Sequence, residues 1–337
     1  METYLVTGGA GFIGSNIVET LLEQGHSVRV LDNFSTGKKA NIERVISHHS
    51  LVPERDYIYS SSSDMRIRPE RYPRLFVIDG DLRDSDTCWR AVSGVTYVLH
   101  QGAIPSVPRS ISDPVATNDT NIRGTLNMLI AARDEGVKRF VFASSSSVYG
   151  DTPTLPKVET MPLLPLSPYA LSKLTGEYYA VLFYKLYGLS TVSLRYFNVY
   201  GPGQDPLSQY AAVIPRFITA LLSGNPPVIY GDGEQSRDFT FIEDCVAANL
   251  SACRAEGASG RVFNIACGVR TTLNELFKKI RDITKTHIDP LYEASRPGDV
   301  KHSLADINQA KDILNYLPVF TIDNGLKMTI EWFKKNS

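Results

Sequence analysis

The chain has 337 residues, 43% hydrophobic and 21% charged, enough for one large domain or two ordinary ones around a real core. A formal net charge of −1 excludes a general electrostatic pull toward nucleic acid or an anionic membrane, so neither is an expected partner. The opening METYLVTGGAGFIGS lacks a basic stretch ahead of an apolar one, and the apolar runs fall short of the roughly 18–20 residues that cross a bilayer, which predicts a cytoplasmic protein.

In chain order, short β-branched runs alternate with helical patterns over the first 200 residues. Strands are predicted at Thr3–Thr7, Ser27–Asp32, Leu75–Asp79, Tyr97–His100, Arg139–Ala143 and Thr191–Arg195, with amphipathic helices at Ile13–Gln24, Ile122–Glu135 and Ala170–Tyr187. Six strands in this rhythm predict an α/β fold, a doubly wound parallel Rossmann sheet. The polar stretch His48–Arg74, with Ser60–Ser63 and no periodicity, reads as a surface insertion. After Tyr196, Gly and Pro punctuate Gly201–Pro206 and Gly224–Gly233 around one helix at Ala212–Leu222. Regular patterns resume near Phe239–Arg254 and Val262–Ala266.

Cys88, Cys245, Cys253 and Cys267 show no C-x-x-C spacing and read as reduced thiols. The six histidines include no H-x-x-x-H or H-E-x-x-H pair, so no metal site is expected.

Gly8-Gly9-Ala10-Gly11-Phe12-Ile13-Gly14 satisfies both G-x-G-x-x-G and G-x-x-G-x-x-G between a strand and a helix. Such glycines let the backbone turn tightly and approach a pyrophosphate at the helix N-terminus. Asp32, 18 residues past Gly14, ends the second strand, where a carboxylate binds a free ribose 2′-OH and disfavours a 2′-phosphate. The expected cofactor is therefore NAD, with Lys38 and Lys39 as the local counterargument.

Tyr169 and Lys173, four apart, share one helix face, and no other tyrosine of the seventeen has Lys at that spacing. Oxidising a secondary alcohol requires its hydroxyl proton to leave with the hydride. A free tyrosine titrates near 10, and lowering it to about 7 takes roughly 4 kcal/mol, which a nearby ammonium and a positive nicotinamide could supply. A serine from Ser144–Ser147, at the preceding strand end, could bind the same oxygen.

TGGAGFIGS, ASSSSVYGD, SPYALSK and LRYFNVYGP together resemble the extended short-chain dehydrogenase/reductase superfamily, and within it the UDP-hexose 4-epimerases, especially those acting on UDP-N-acetylhexosamines. The resemblance runs from about residue 3 to residue 330. It implies a cofactor domain over residues 1–196, to which 239–266 returns, and a smaller C-terminal α/β substrate-binding lobe over 197–337. It makes Tyr169 the acid–base, Lys173 the group that orients the nicotinamide ribose and lowers the Tyr169 pKa, and Ser145 the contact to the sugar 4-oxygen, with Ser144 and Ser146 as competing choices. Asp81 and Leu82 would meet the adenine, and Gly102, Ala103 and Ile104 would pass near the cofactor phosphates and ribose. Asn33, Phe34, Ser35, Thr36, Gly37, Gln101, Asn121, Tyr196 and Val199 would complete the cofactor cleft. Asn198, Arg237, Arg296 and Asp299 would hold the nucleotide diphosphate, Ala212, Val213, Val228 and Tyr230 the uridine, and Ser106, Ser145 and Ser146 the sugar.

Two departures bear on the substrate. Pro105 replaces a lysine that hexose-specific members often carry, removing a phosphate or cofactor contact. Ser303, in KHSLAD, falls at a gate where hexose-only members carry tyrosine, leaving room for a 2-acetamido group. The expected substrates are UDP-GlcNAc and UDP-GalNAc, then UDP-Glc and UDP-Gal, with UDP-uronic acids as the alternative. A 4,6-dehydratase would carry an acidic pair where this chain has Ser146-Ser147. A uronate decarboxylase and a non-catalytic NAD sensor are further rivals. The two helices near 122–135 and 170–187 match the family's intersubunit four-helix bundle, which implies a homodimer.

Overall fold

The computed structural model describes residues 2–61, 73–206, 212–295 and 301–336. The first part runs β1 (Thr3–Thr7), α1 (Phe12–Glu23), β2 (Ser27–Asp32), α2 (Lys39–His48), β3 (Tyr57–Ser61), β4 (Leu75–Asp79), α3 (Ser85–Val92), β5 (Tyr97–His100), α4 (Val107–Ser112) and α5 (Pro114–Asn118). A π-helical turn (Asp119–Arg123) leads into α6 (Gly124–Asp134), followed by β6 (Arg139–Ser145), a 3-10 turn (Ser146–Tyr149), α7 (Pro168–Tyr187) and β7 (Thr191–Tyr196). Then come β8 (Val199–Tyr200), α8 (Val213–Leu222), β9 (Val228–Tyr230), β10 (Ser236–Asp238), β11 (Thr240–Phe241), α9 (Ile242–Arg254) and β12 (Arg261–Ile265). The chain closes with β13 (Arg270–Thr272), α10 (Leu273–Thr284), β14 (Leu291–Glu293), α11 (Asn308–Leu314) and α12 (Ile322–Asn336).

Eight strands form one all-parallel sheet in the order β12-β7-β6-β5-β1-β2-β4-β3. Alternation along each strand sorts side chains onto two faces. Val6, Val30, Leu99, Val141 and Leu194 pack in one buried cluster, while Leu5, Leu31, Val98, Phe140 and Phe142 pack in another. The first cluster continues through Phe217, Ile229 and Phe277 into the C-terminal elements, so no clean apolar boundary separates the two halves. Among the described residues of those elements, β8 pairs with β11, β9 with β14 and β10 with β13, each in a two-stranded sheet.

The sheet has two strands beyond the six predicted. β12 extends it beside β7, from the segment expected near 262–266. β3 lies within the stretch read as an insertion; it is an edge strand whose residues are half-buried or exposed, so it lacks the alternation that marks a strand with one dry face. Ser62 and Ser63 of that stretch lie outside the described residues. Among the described residues no helix is long and apolar enough to cross a membrane.

Candidate active site

The sequence leaves β1 and β5, neighbours in the sheet, toward opposite sides, and such a switch point opens a crevice at the strand ends. Gly8 follows β1 with φ +65, and a Cβ on it would sit 2.8 Å from the Gly102 Cα, so the two loop backbones close up as only glycine permits. Helix α1 begins behind Gly11 with no side-chain cap and no acidic residue in its first turn. The first amides of a helix have no intrahelical acceptor, so this end is left to face an anion. At the end of β2 the buried Asp32 accepts the Ala10 N–H at 2.9 Å and the Phe34 N–H at 2.8 Å. A carboxylate has about four lone-pair sites, so two remain for a ligand hydroxyl. Lys38 pairs with Asp205 at 2.8 Å, and the Lys39 Nζ lies 5.2 Å from the centroid of the Phe34 ring.

Around this cradle, Asn33 donates to Asp81 at 2.9 Å and its Oδ1 accepts from the Ser35 hydroxyl at 2.7 Å. Arg83 holds the Asp81 carboxyl down at about 2. The Leu82 carbonyl accepts from Asn127. Thr36 and Gly37 close the β2–α2 loop, where a Cβ on Gly37 would stand 2.9 Å from Asp32. Gln101 donates to Tyr196 and to Asn249, at 3.1 and 3.0 Å. Asn121 binds Ile104 through both its amide atoms and donates to Ser172 at 3.0 Å, so it ties the loop carrying Ala103 to the helix that carries Lys173. Ser106 caps α4 through Arg109.

Helix α7 places the acid–base pair. Ser167 caps it by accepting the Ala170 N–H, Pro168 starts it and Gly188 ends it in the left-handed region, which puts Tyr169 in the first turn. The helix lies directly on β6, since a Cβ on Gly176 would be 2.3 Å from Phe142. The end of β6 separates the three serines. Ser144 is buried and donates to Glu177 at 2.5 Å, whereas Ser145 stands beside Tyr169, favouring its ionised form, and accepts from the Ser147 hydroxyl at 2.9 Å. Ser146 opens the 3-10 turn that Ser145 caps.

Lys173 is buried and donates to the Ala143 carbonyl at 2.8 Å, and burial pulls its pKa down to about 8. Burial pushes the Tyr169 phenol above its ordinary value, offset in part by Ser145. The expectation that Lys173 lowers the Tyr169 pKa is therefore not met by the protein alone. Its ammonium is turned to a backbone carbonyl, 5.9 Å from the centroid of the Tyr169 ring.

Asn198, Ala212, Val213, Val228, Tyr230 and Arg237 all line one cavity of about 230 Å³, and Val199, assigned to the cofactor, lines it too. Asn198 has φ +35 and donates to the Asp238 carbonyl at 3.1 Å. Ser303 docks beside β10 through its N–H to Ser236, at 3.0 Å. Arg296 and Asp299 lie outside the described residues. Arg216 and Gln235 line the same cavity and carried no sequence motif. A departure from the histidine reading lies at the ends of α1 and α2, where exposed Glu23 and His48 and half-buried His49 bring ligand atoms within 4.8 Å of one another. That juxtaposition is tertiary, so no spacing rule reports it.

A model of the NAD dependent epimerase/dehydratase family matches residues 4–266. The chain belongs to this family. It is 36% identical to the UDP-glucose 4-epimerase of Mycolicibacterium smegmatis, over 99% of each chain. The structure of UDP-N-acetylglucosamine 4-epimerase from Methanobrevibacter ruminantium, in complex with UDP-N-acetylmuramic acid, superposes with a TM-score of 0.87 at 39% identity, over 100% of this chain and 99% of that one. The UDP-glucuronic acid 4-epimerase of Bacillus cereus, with UDP-glucuronic acid and NAD, matches at 0.86 and 29% identity, over 99% and 100%. As an NAD-dependent family member, the chain would hold the dinucleotide between the Gly8–Gly14 turn, Asp32 and the Gln101–Ile104 loop, and the cradle described above fits that group.

Proposed function

We propose that this chain is a UDP-sugar 4-epimerase that interconverts UDP-GlcNAc and UDP-GalNAc and turns over UDP-Glc and UDP-Gal more slowly. The observation that carries the reading is Tyr169, beside Ser145 and one helical turn from Lys173, next to a dinucleotide cradle. Bound NAD would supply a hydride acceptor that returns what it takes, and a positive charge that favours phenolate. Tyr169 removes the proton of the sugar 4-hydroxyl, and Ser145 holds the same oxygen. The 4-keto sugar turns about its phosphate linkage and presents its other face, to which the hydride would return as Tyr169 gives its proton back to the 4-oxygen. Lys173 orients the nicotinamide ribose. Rotation requires a firm grip on the nucleotide and a loose one on the sugar, which agrees with Arg237, Asn198 and Tyr230 gathering in one cavity. Arginine suits a diphosphate because its planar fork donates twice.

Ser303 supports the N-acetylhexosamine assignment, since a small side chain beside β10 leaves room for an acetamido group. The dehydratase reading lacks its acidic pair: Ser147 donates to Ser145 instead. The full-length match to a UDP-glucuronic acid epimerase keeps a uronate as the second reading.

The test incubates the purified protein with UDP-GlcNAc, UDP-Glc and UDP-GlcNAcA separately, with and without added NAD, and follows the anomeric and C4 protons by NMR. UDP-GlcNAc should invert fastest. Tyr169→Phe should lose about 10²–10⁴ in rate, and Ser303→Tyr should lower UDP-GlcNAc turnover about tenfold or more relative to UDP-Glc. Fastest inversion of UDP-GlcNAcA moves the substrate to a uronate, and inversion of no sugar with NAD present ends the epimerase reading.

A second copy of the chain is the proposed partner. Leu171, Tyr178, Leu182 and Leu186 expose one face of α7 while Ala170, Leu174, Ala180 and Phe183 bury the other. Such an apolar stripe on a long helix suits helix-to-helix packing about a two-fold axis.

A further inference from the structure

Asp238 is fully buried at the end of β10, yet among the described residues its hydrogen-bond partners are backbone amides and not cations. Its Oδ1 accepts the Cys267 N–H at 2.9 Å, and its Oδ2 accepts the Gly268 N–H at 3.0 Å and the Ala305 N–H at 3.2 Å. Burial pushes its pKa up to about 6 and the amides oppose that shift, and N–H donors on both oxygens suit the ionised form.

The segments that converge on this carboxylate carry residues assigned to the nucleotide and its sugar. Arg237 is its chain neighbour. Asn198 donates to the Asp238 carbonyl at 3.1 Å. Ser303 lies two residues before Ala305 and is also pinned by its own N–H to Ser236. The 267–269 turn leads directly into β13, the antiparallel partner of β10. Each of these pieces is two or three residues of strand or a loop, too short to hold its geometry by sheet pairing alone.

We propose that Asp238 is a positioning residue for the nucleotide site: its carboxylate gathers the 267–269 turn and the 303–305 segment around β10, and so sets Arg237 and Asn198 for a UDP group, with Ser303 beside the sugar. The inference rests on the UDP-sugar reading above. Asparagine at 238 keeps the size but offers one acceptor oxygen, and its NH₂ would face backbone N–H donors. The expected effect falls on nucleotide binding and spares the dinucleotide cradle, which is built from β1, β2 and β5.

Calorimetric titration of UDP and, separately, NAD into wild type and Asp238→Asn tests this. Wild type should bind UDP; if it does not, the UDP-sugar reading fails and the inference falls with it. Asp238→Asn should bind UDP about tenfold or more weakly and NAD within about twofold of wild type. Unchanged UDP affinity overturns the role, as does an equal loss for UDP and NAD, which would mean a general structural contribution. Should the variant not fold, hydrogen exchange on the wild type decides. Amides in 267–269 and 303–305 should slow together when UDP binds, and no response from either segment overturns the inference.

Discussion

The two halves of the site hold their functional groups in different ways. Tyr169, Lys173 and Ser145 sit on a twenty-residue helix and the end of a central strand, and beneath them Glu177 on α7 and Arg195 on β7 form a buried pair at 2.8 Å. Arg195 also donates to Tyr149, which donates to Asn264 on β12 at 2.7 Å. Side chains thus bond to side chains across regular elements. The nucleotide half is the reverse: β8, β9, β10 and β13 have two or three residues each, and one carboxylate collects backbone amides from separate loops. The contrast follows the proposed chemistry. Proton transfer requires fixed distances between a few atoms, whereas a nucleotide is gripped at several points along its length.

The largest expected effect tests the rigid half. Glu177→Ala would leave Arg195 charged and buried without its carboxylate, and would take from Ser144 its acceptor. Breaking a buried pair from one side costs about 3–5 kcal/mol, which denaturant unfolding would register. A loss below about 1 kcal/mol would mean that the corner relaxes around the arginine and is no stiffer than the nucleotide half.

An intermediate effect concerns the outer face of the same helix. Leu182→Glu should weaken self-association about tenfold or more, read by light scattering across a dilution series, because a charge would enter an apolar contact. A wild-type monomer at all concentrations would remove the second-copy proposal and leave α7 rigid through its inner face alone.

The difference between the halves also explains what could be read from sequence. β1, β2 and β5 are buried along nearly their whole length and β4 at three of its five residues, between flanking turns, so their apolar runs mark them with the correct bounds. The G-x-x-G-x-x-G turn and the Tyr169–Lys173 spacing are local patterns on regular elements. The edge strand β3 and the Glu23–His48–His49 cluster depend on neighbours distant in sequence, and neither left a periodic trace. Asp238 was also missed. A lone Asp beside an Arg has no spacing signature, and only the convergence of residues 267–269 and 305 on it reveals what it does. The Tyr169–Lys173 spacing places two residues on one face without saying where the ammonium points, and here it points to Ala143.

The smallest expected effect belongs to Arg216, on the first turns of α8. Its guanidinium lies 5.6 Å from the centroid of the Tyr230 ring and lines the same cavity. A cation over a partly exposed aromatic ring contributes about 0.5–1 kcal/mol. If its task is to brace Tyr230 against the base, Arg216→Ala should weaken UDP binding about two- to fivefold. Uridine should lose as much as UDP, because the phosphates would not be involved. A loss of about tenfold or more for UDP, absent for uridine, would instead make Arg216 a phosphate ligand. The nucleotide half would then hold its ligand by side-chain charge as well as by gathered backbone, and the contrast with the catalytic half would narrow to the length of the elements that carry each.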